Sequence, residues 1–479
     1  MKKAALLLAF LASCSQDPAP TAAPLKPDLV AYAPEQVTSK AGPFVTREGR
    51  KGWTLPIPGG RPLAGPAYAD GRLFLGGGFG STEFYCVDAD SGKILWEFKT
   101  GDDGPTAAVI EGRYVVFNTE SCTIYTLEIS TGKQVWSKWL GDPLLSQPAI
   151  ADGRVYMAYP GKDGSHHLVC MAIEDGKELW DGPIEGDIIA APVVHAGSVY
   201  LTTLDGTLYR YGAADGKLAW SEKRDATSAP WVYKDQVLVS QGAGEELGRK
   251  IETLALTRSS GSGAPLAGAT FALEGSRRPA DYLDSSKQGG TGGLALTATP
   301  PASTETLKES QNKADAGVGF AVAPLEAKLY AAELNLGVMT VCGAWAYQGS
   351  RPSVAGGRSY SAMGDVLLCH DLKTGKFAWQ KSLKPPRPVE GLRLLAPPAL
   401  ANNRVFLSTA LGDVLCMDAM GSLLWSVNVG EPIVFQPTVM KGRIYVGTSG
   451  GHLVAIETGD AKDDGWPMWG GSAAHNGPK

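Results

Sequence analysis

Charge is scarce in this chain. Acidic and basic residues fill 19% of its 479 positions, and 44 Lys and Arg against 49 Asp and Glu leave a net charge of −5. Phosphate binding needs a basic face, which argues against nucleic acid as the main partner. Long apolar runs are missing as well: nothing approaches the roughly 18–20 residues of a membrane-spanning helix. The six histidines make no metal pattern. His166-His167 is a loop pair with no third ligand at useful spacing, and His195, His370, His452 and His475 stand alone. There is no GxSxG elbow, no phosphate loop and no CxxCH haem attachment; "GGGFG" at 76–80 ends a strand with no helix after it. No catalytic residue, metal site or cofactor site is assigned on this basis.

What is present starts at the N-terminus. Lys2 and Lys3 precede an apolar run from Ala4 to Ala12 that ends in Leu11-Ala12-Ser13-Cys14, so residues 1–13 read as a lipoprotein signal peptide and Cys14 as the lipidated first residue. Ser15, rather than an aspartate, points to the outer membrane, with the rest of the chain facing the periplasm. Residues 14–43 carry Pro18, Pro20, Pro24, Pro27, Pro34 and Pro43 among small and polar residues and read as a tether. Beyond it, 60 glycines, 32 prolines and 44% hydrophobic residues describe a large core cut by many turns.

The dominant signal is a repeat. Glycine followed four residues later by tryptophan occurs at Gly92–Trp96, Gly132–Trp136, Gly176–Trp180, Gly216–Trp220, Gly375–Trp379 and Gly421–Trp425. Each is preceded by two apolar-alternating runs and opens near a proline, and spacings of 40–46 residues hold four short strands. In the clearest copy the strands are expected near 148–151, 154–159, 167–173 and 178–182. The expected fold is therefore all-β: an eight-bladed β-propeller of four-stranded antiparallel blades over residues 44–460. Blade five is degenerate, with Ala267 where its tryptophan should be. The last blade lacks a clean fourth strand, which "EGRKGW" supplies, since Gly49 and Trp53 keep the spacing; Trp469 after Gly465 is the rival. The expectation is that the N-terminal strand closes the ring. One tryptophan per blade (Trp53, Trp96, Trp136, Trp180, Trp220, Trp379, Trp425) suits packing between blades rather than a single ligand site.

"DADSGKILW", "EISTGKQVW" and "DLKTGKFAW" resemble the repeat of pyrroloquinoline-quinone-type propellers, a fold shared by quinoprotein alcohol dehydrogenases and BamB-like bacterial lipoproteins. The resemblance covers roughly residues 44–267 and 346–460, and the tail "GWPMWGGSAAHNG" at 465–477 looks like a tag of the same superfamily. In the dehydrogenases the quinone lies near the propeller axis against a vicinal disulfide, with calcium, an acidic base and an arginine beside it. This chain has no adjacent cysteines, and acids such as Asp205 and Asp413 fall in turns. Cys86, Cys170, Cys369 and Cys416 share one position on the third strand of four blades, too far apart to bridge, and read as small buried thiols; Cys122 and Cys342 are off this register and are assigned no pairing state. The BamB-like resemblance implies a propeller scaffold docking onto the outer-membrane β-barrel assembly machinery. Its partner loop carries a leucine–arginine pair, whereas the loops at 142–147 and 186–191 here offer Leu144, Leu145, Ile188 and Ile189 but no arginine.

Residues 268–345 break the pattern and read as a long surface insertion between blades five and six. Its end brings Trp345, Tyr347 and Arg351 together, a candidate interaction patch. The sequence thus supports a lipid-anchored, monomeric scaffold or protein-binding propeller, with residues 461–479 as a C-terminal tail. A quinone-dependent dehydrogenase with calcium and an envelope glycan-binding propeller are the alternatives.

Overall fold

The computed structural model describes Leu29–Val30 and the chain from Lys40 to Pro478, apart from residues 79, 103, 120–121, 142–145, 161–164, 187–190, 204, 225, 227, 235, 242–249, 256–268, 273–350, 364–365 and 384–394. Among the described residues the protein is an all-β propeller, and its one helical feature is a single 3-10 turn at Trp469–Gly471.

Seven blades are four-stranded and antiparallel. Blade one is built from Ala67–Ala69, Arg72–Gly76, Glu83–Asp88 and Ile94–Lys99, in that order from the axis outward. Blades two to four repeat it from Val109, Ala149 and Val193. Blade five starts at Trp231–Tyr233, blade six at Ser353–Ala355 and blade seven at Ala399–Ala401. The expectation of eight four-stranded blades is corrected here. The remaining sheet has six strands, in the order Leu29–Val30, Gly42–Thr46, Lys51–Pro56, His452–Glu457, Arg443–Gly447 and Thr438–Met440. It exceeds four because two strands before Lys51 continue outward from the joining strand. Trp53 lies opposite Ala455 in that junction, while the rival Trp469 sits in the 3-10 turn. Blade five takes Ala269–Ala272 as its fourth strand, so this part of the expected insertion belongs to the blade.

The local chemistry follows from the turns. Inner hairpins such as Asp70-Gly71 and Asn402-Asn403 have positive φ at both central residues (49° and 75°, 48° and 56°), the two-residue geometry whose twist matches the strands. The outer hairpin carries the repeat motif. Asp371 Oδ1 accepts from the Thr374 amide (2.7 Å) and hydroxyl (2.8 Å), and these bonds hold its carboxyl below the usual carboxylate range. Asp88 does the same with Ser91 at 2.8 and 2.6 Å. Just before the hairpin the ladder slips by one residue at the pair that sets Cys86 opposite Trp96, Cys170 opposite Trp180, Cys369 opposite Trp379 and Cys416 opposite Trp425. Cysteine fills that place in four blades, while Thr126 stands opposite Trp136 and Arg210 opposite Trp220. These thiols and Cys122 are buried and free, and burial pushes Cys86, Cys122 and Cys416 up to about 12 and Cys170 and Cys369 to about 11. Cys342 lies outside the described residues. Cys122 has φ +59° in the turn slot filled by Gly206, Gly412 and Gly451 in other sheets.

Five motif tryptophans donate to the next blade. Trp53, Trp96, Trp136, Trp180 and Trp379 donate their indole N–H to the carbonyls of Ala89, Ile129, Ile173, Ala213 and Ala419 at 2.7–3.3 Å. Their rings lie over the glycine of the neighbouring hairpin. A Cβ on Gly132 would sit 2.7 Å from the Trp96 ring, at φ +69°. Gly153 has a similar φ of +71° but open space around it. Gly153→Ala should therefore cost only the left-handed strain of about 1 kcal/mol. Gly132→Ala should cost roughly 2–4 kcal/mol, because overpacking against the indole adds to the same strain. Thermal denaturation of the two variants checks the difference.

Candidate functional site

Every inner strand is three residues long, and its middle residue turns its amide away from the second strand toward the propeller axis. Such edge donors need partners. The C-terminal segment supplies them in five of the eight sheets. Tyr68 N donates to Pro467 O (2.7 Å), Ile150 N to Ala473 O (2.7 Å) and Val194 N to Ala474 O (2.9 Å). Val439 and Trp466 exchange two bonds of 2.9 Å. Asn476 serves blade five in both directions, accepting from Val232 N (2.7 Å) and donating to Val232 O (2.8 Å). The residues expected as a tail thus fill the centre of the ring.

The segment is anchored at its start by Asp463, fully buried, which accepts from Arg404 Nη1 (2.7 Å) and Asn402 Nδ2 (3.0 Å) of blade seven. Farther along, Trp466 stacks on Trp231 with centroids 6.0 Å apart and 12° between planes. Gly470 N donates to Gln436 Oε1 (2.8 Å), and Gln436 in turn donates to Pro398 O (2.8 Å).

Arg351 corrects an expectation. It is not a surface residue: it is 2% exposed, with its guanidinium 4.7 Å from the Trp231 ring centroid and 4.8 Å from that of Trp469. Its Nε and Nη2 donate to Pro230 O at 3.1 and 2.9 Å, and Nη2 also to His475 O. Burial lowers its pKa to about 9, so it stays cationic at neutral pH, held by carbonyls and two indole faces. Trp345 and Tyr347, expected beside it, lie outside the described residues, as do Cys14, the loop leucines and the loop isoleucines.

His475 is the second unusual group. Its Nδ1 and Nε2 each lie 2.9 Å from a carbonyl, of Trp469 and Pro148. A neutral ring can donate to only one. Protonation would satisfy both, but burial and the nearby Arg351 oppose it, and burial dominates, lowering its pKa to about 4. Trp231, Trp466 and Asn476 carried no expectation from the sequence, where Trp469 was weighed only as a rival closing strand and His475 as an isolated histidine. Two tryptophans in a terminal stretch with almost no charge were the available signal, because such a stretch is costly to leave in water.

Elsewhere, Ser165 Oγ, His167 and Asp181 lie in line, with contacts of 2.5 and 2.5 Å. The order is that of a charge relay. However, Ser165 and His167 are two residues apart in sequence, the Tyr159 ring stacks on the imidazole at 5.3 Å, and Tyr159 Oη donates to the same carboxylate. The group is a clasp at the edge of blade three. Among the described residues no three His, Cys, Asp or Glu side chains are grouped to hold a metal ion.

Residues 43–142, 85–163, 138–263 and 362–469 match the family described as outer membrane protein assembly factor BamB. The quinoprotein alcohol dehydrogenase PedH of Pseudomonas putida is 30% identical over 112 residues, covering 20% of this chain and 18% of that enzyme. The chain therefore matches less than a fifth of that relative's length. BamB from Moraxella catarrhalis superposes with a TM-score of 0.54 at 14% identity, covering 84% of this chain and 96% of that one. Saccharomyces cerevisiae Sqt1 gives 0.56 at 9%, covering 83% and 96%, and the computationally designed Ika8 protein 0.54 at 12%, covering 84% and 98%. At these identities the structural likeness is one of fold.

Both His475 and His370, the latter lowered to about 4 by burial, are neutral in the folded chain at pH values where a free imidazole near 6.5 is already charged. The unfolded chain then binds more protons, so stability rises with pH across that window. Folding stability should be full above about pH 6.5 and fall steadily toward pH 4. Replacing His475 with Gln should flatten part of that slope in denaturant titrations run across the range.

Proposed function

Because the chain belongs to the PQQ-like repeat family described as outer membrane protein assembly factor BamB, we propose that it is a lipid-anchored propeller scaffold that binds a protein partner in the bacterial envelope. The observation that carries this reading is how the repeated chemistry is spent. In the copies described above, the aspartate is used by its own hairpin and the tryptophan by the next blade, leaving no repeated group for a substrate. What differs between blades is the loops, and loops on a rigid ring are a protein-docking surface. In this reading residues 1–13 are removed, Cys14 carries the lipid, residues 14–43 tether the ring, and the six-stranded sheet acts as its eighth blade. The partner is a component of the outer-membrane β-barrel assembly machinery, and the propeller itself is monomeric.

The partial match to a quinoprotein alcohol dehydrogenase favours a second reading, a quinone-dependent oxidoreductase. Dye-linked alcohol oxidation by the chain loaded with quinone and calcium would support it.

Affinity purification of the lipidated protein from membranes should recover a barrel-assembly subunit, and its absence would remove that assignment. Cys14→Ser should move the protein from the membrane fraction to the soluble fraction, read by immunoblot of fractionated cells. Retention on the membrane would exclude lipid anchoring through this residue.

A further inference from the structure

We propose that the segment from Asp460 onward is the permanent occupant of the axial site, closing it to a quinone and joining the two halves of the ring. In the dehydrogenases that share this repeat, the quinone needs the space on the axis and an arginine free to meet its carbonyls. Here neither is free. Trp466, at 0% exposure, and His475, at 1%, fill the axis, and the inner-edge amides of Tyr68, Ile150, Val194, Val232 and Val439 are bonded to the segment. The Nε and Nη2 groups of Arg351 are committed to Pro230 and His475, and the guanidinium lies 4.7 and 4.8 Å from the Trp231 and Trp469 rings.

The segment also packs into two hydrophobic clusters on opposite sides of the ring. Met468, Ala473 and Ala474 pack with the cluster of blades one to four, whereas Trp466 packs with that of blades five to seven and the six-stranded sheet. It reaches both by folding back on itself, with Gly477 N donating to Gly470 O (2.6 Å). Gly470, at φ +72°, allows the reversal; a Cβ there would lie 2.7 Å from His475 Cα. A segment so enclosed cannot exchange with a small ligand unless the ring opens.

The test has a binding arm and a stability arm. Equilibrium dialysis of the full chain with pyrroloquinoline quinone and calcium should retain no quinone, whatever partner the protein has. Stoichiometric retention would overturn the proposal. A chain ending at Gly459 should show a lower Tm than the full chain, raised again by a synthetic peptide of residues 460–479. An unchanged Tm, or no response to the peptide, would overturn it. Should the truncated chain fail to fold, Trp469→Ala and Asn476→Ala in the full chain decide the matter. Both should lower the Tm, and two unchanged values would overturn the proposal.

Discussion

The ring depends on one contact, repeated: an indole laid over a left-handed glycine of the next blade, with its N–H on a carbonyl two or three residues before that glycine. Gly92, Gly132, Gly176, Gly216 and Gly421 receive Trp53, Trp96, Trp136, Trp180 and Trp379. The contact needs a residue without Cβ, an amphipathic ring that can bury its faces while satisfying its one donor, and a hairpin held at a fixed angle by an Asp side chain. Two places lack these conditions. At the six-stranded sheet the third and fourth strands come from opposite ends of the chain, so no hairpin faces Trp425. There Arg50 takes the glycine's place, 4.2 Å above the indole, and its Nη1 donates to Thr458 O (2.7 Å). At blade five the motif is absent, and among the described residues Trp220 Nε1 is buried without a partner. An unmet donor of this kind costs on the order of 1–3 kcal/mol, and the joint there is held by the packing of Tyr200 and Leu208 with Val232, Val237 and Val239.

Bringing the blades round a circle creates a second problem at the centre. Inner strands are edges whatever the blade count, and their axial amides need partners. Lateral bonds such as Thr438 Oγ1 to Pro66 O (2.6 Å) and Ser408 Oγ to Phe435 O (2.6 Å) tie neighbouring blades but leave those amides unmet. The C-terminal segment meets five of them. The uncompensated cation at Arg351 is tolerable in the same place, because two aromatic faces and three carbonyl contacts replace its hydration.

This division explains what could be read from the sequence. The blades were legible because their constraint is periodic: the same turn needs the same glycine, and the same joint takes the same indole. The four cysteines opposite that indole belong to the pattern, and so does the N-terminal strand carrying Trp53. The axial segment is used once, so no internal copy reveals it, and its partners come from seven different parts of the chain. Arg351 illustrates the same limit. Aromatic residues beside an arginine describe an exposed docking patch and a buried cation–π box equally well, and only the fold decides between them. Ala269–Ala272 was missed for a related reason, since the strand pairs in blade five without the glycine or the tryptophan that marks the others.

A filled axis redirects the search for function. In propellers with an open centre, the inner strands can contribute side chains and edge amides to a ligand. Here five of those amides are bonded to the chain itself, and the buried titratable groups nearby, His475 and Arg351, serve the same enclosure. The hairpins on the rim likewise use their own acidic side chains, Asp88, Glu128 and Asp371 among them. What varies in sequence from blade to blade is the set of loops joining the second strand to the third and one blade to the next, and apolar side chains at blade ends such as Trp139, 52% exposed, face solvent. Surfaces of that kind recognise shape and extended contact rather than a single small molecule, which is the physical basis for reading this propeller as a binding platform.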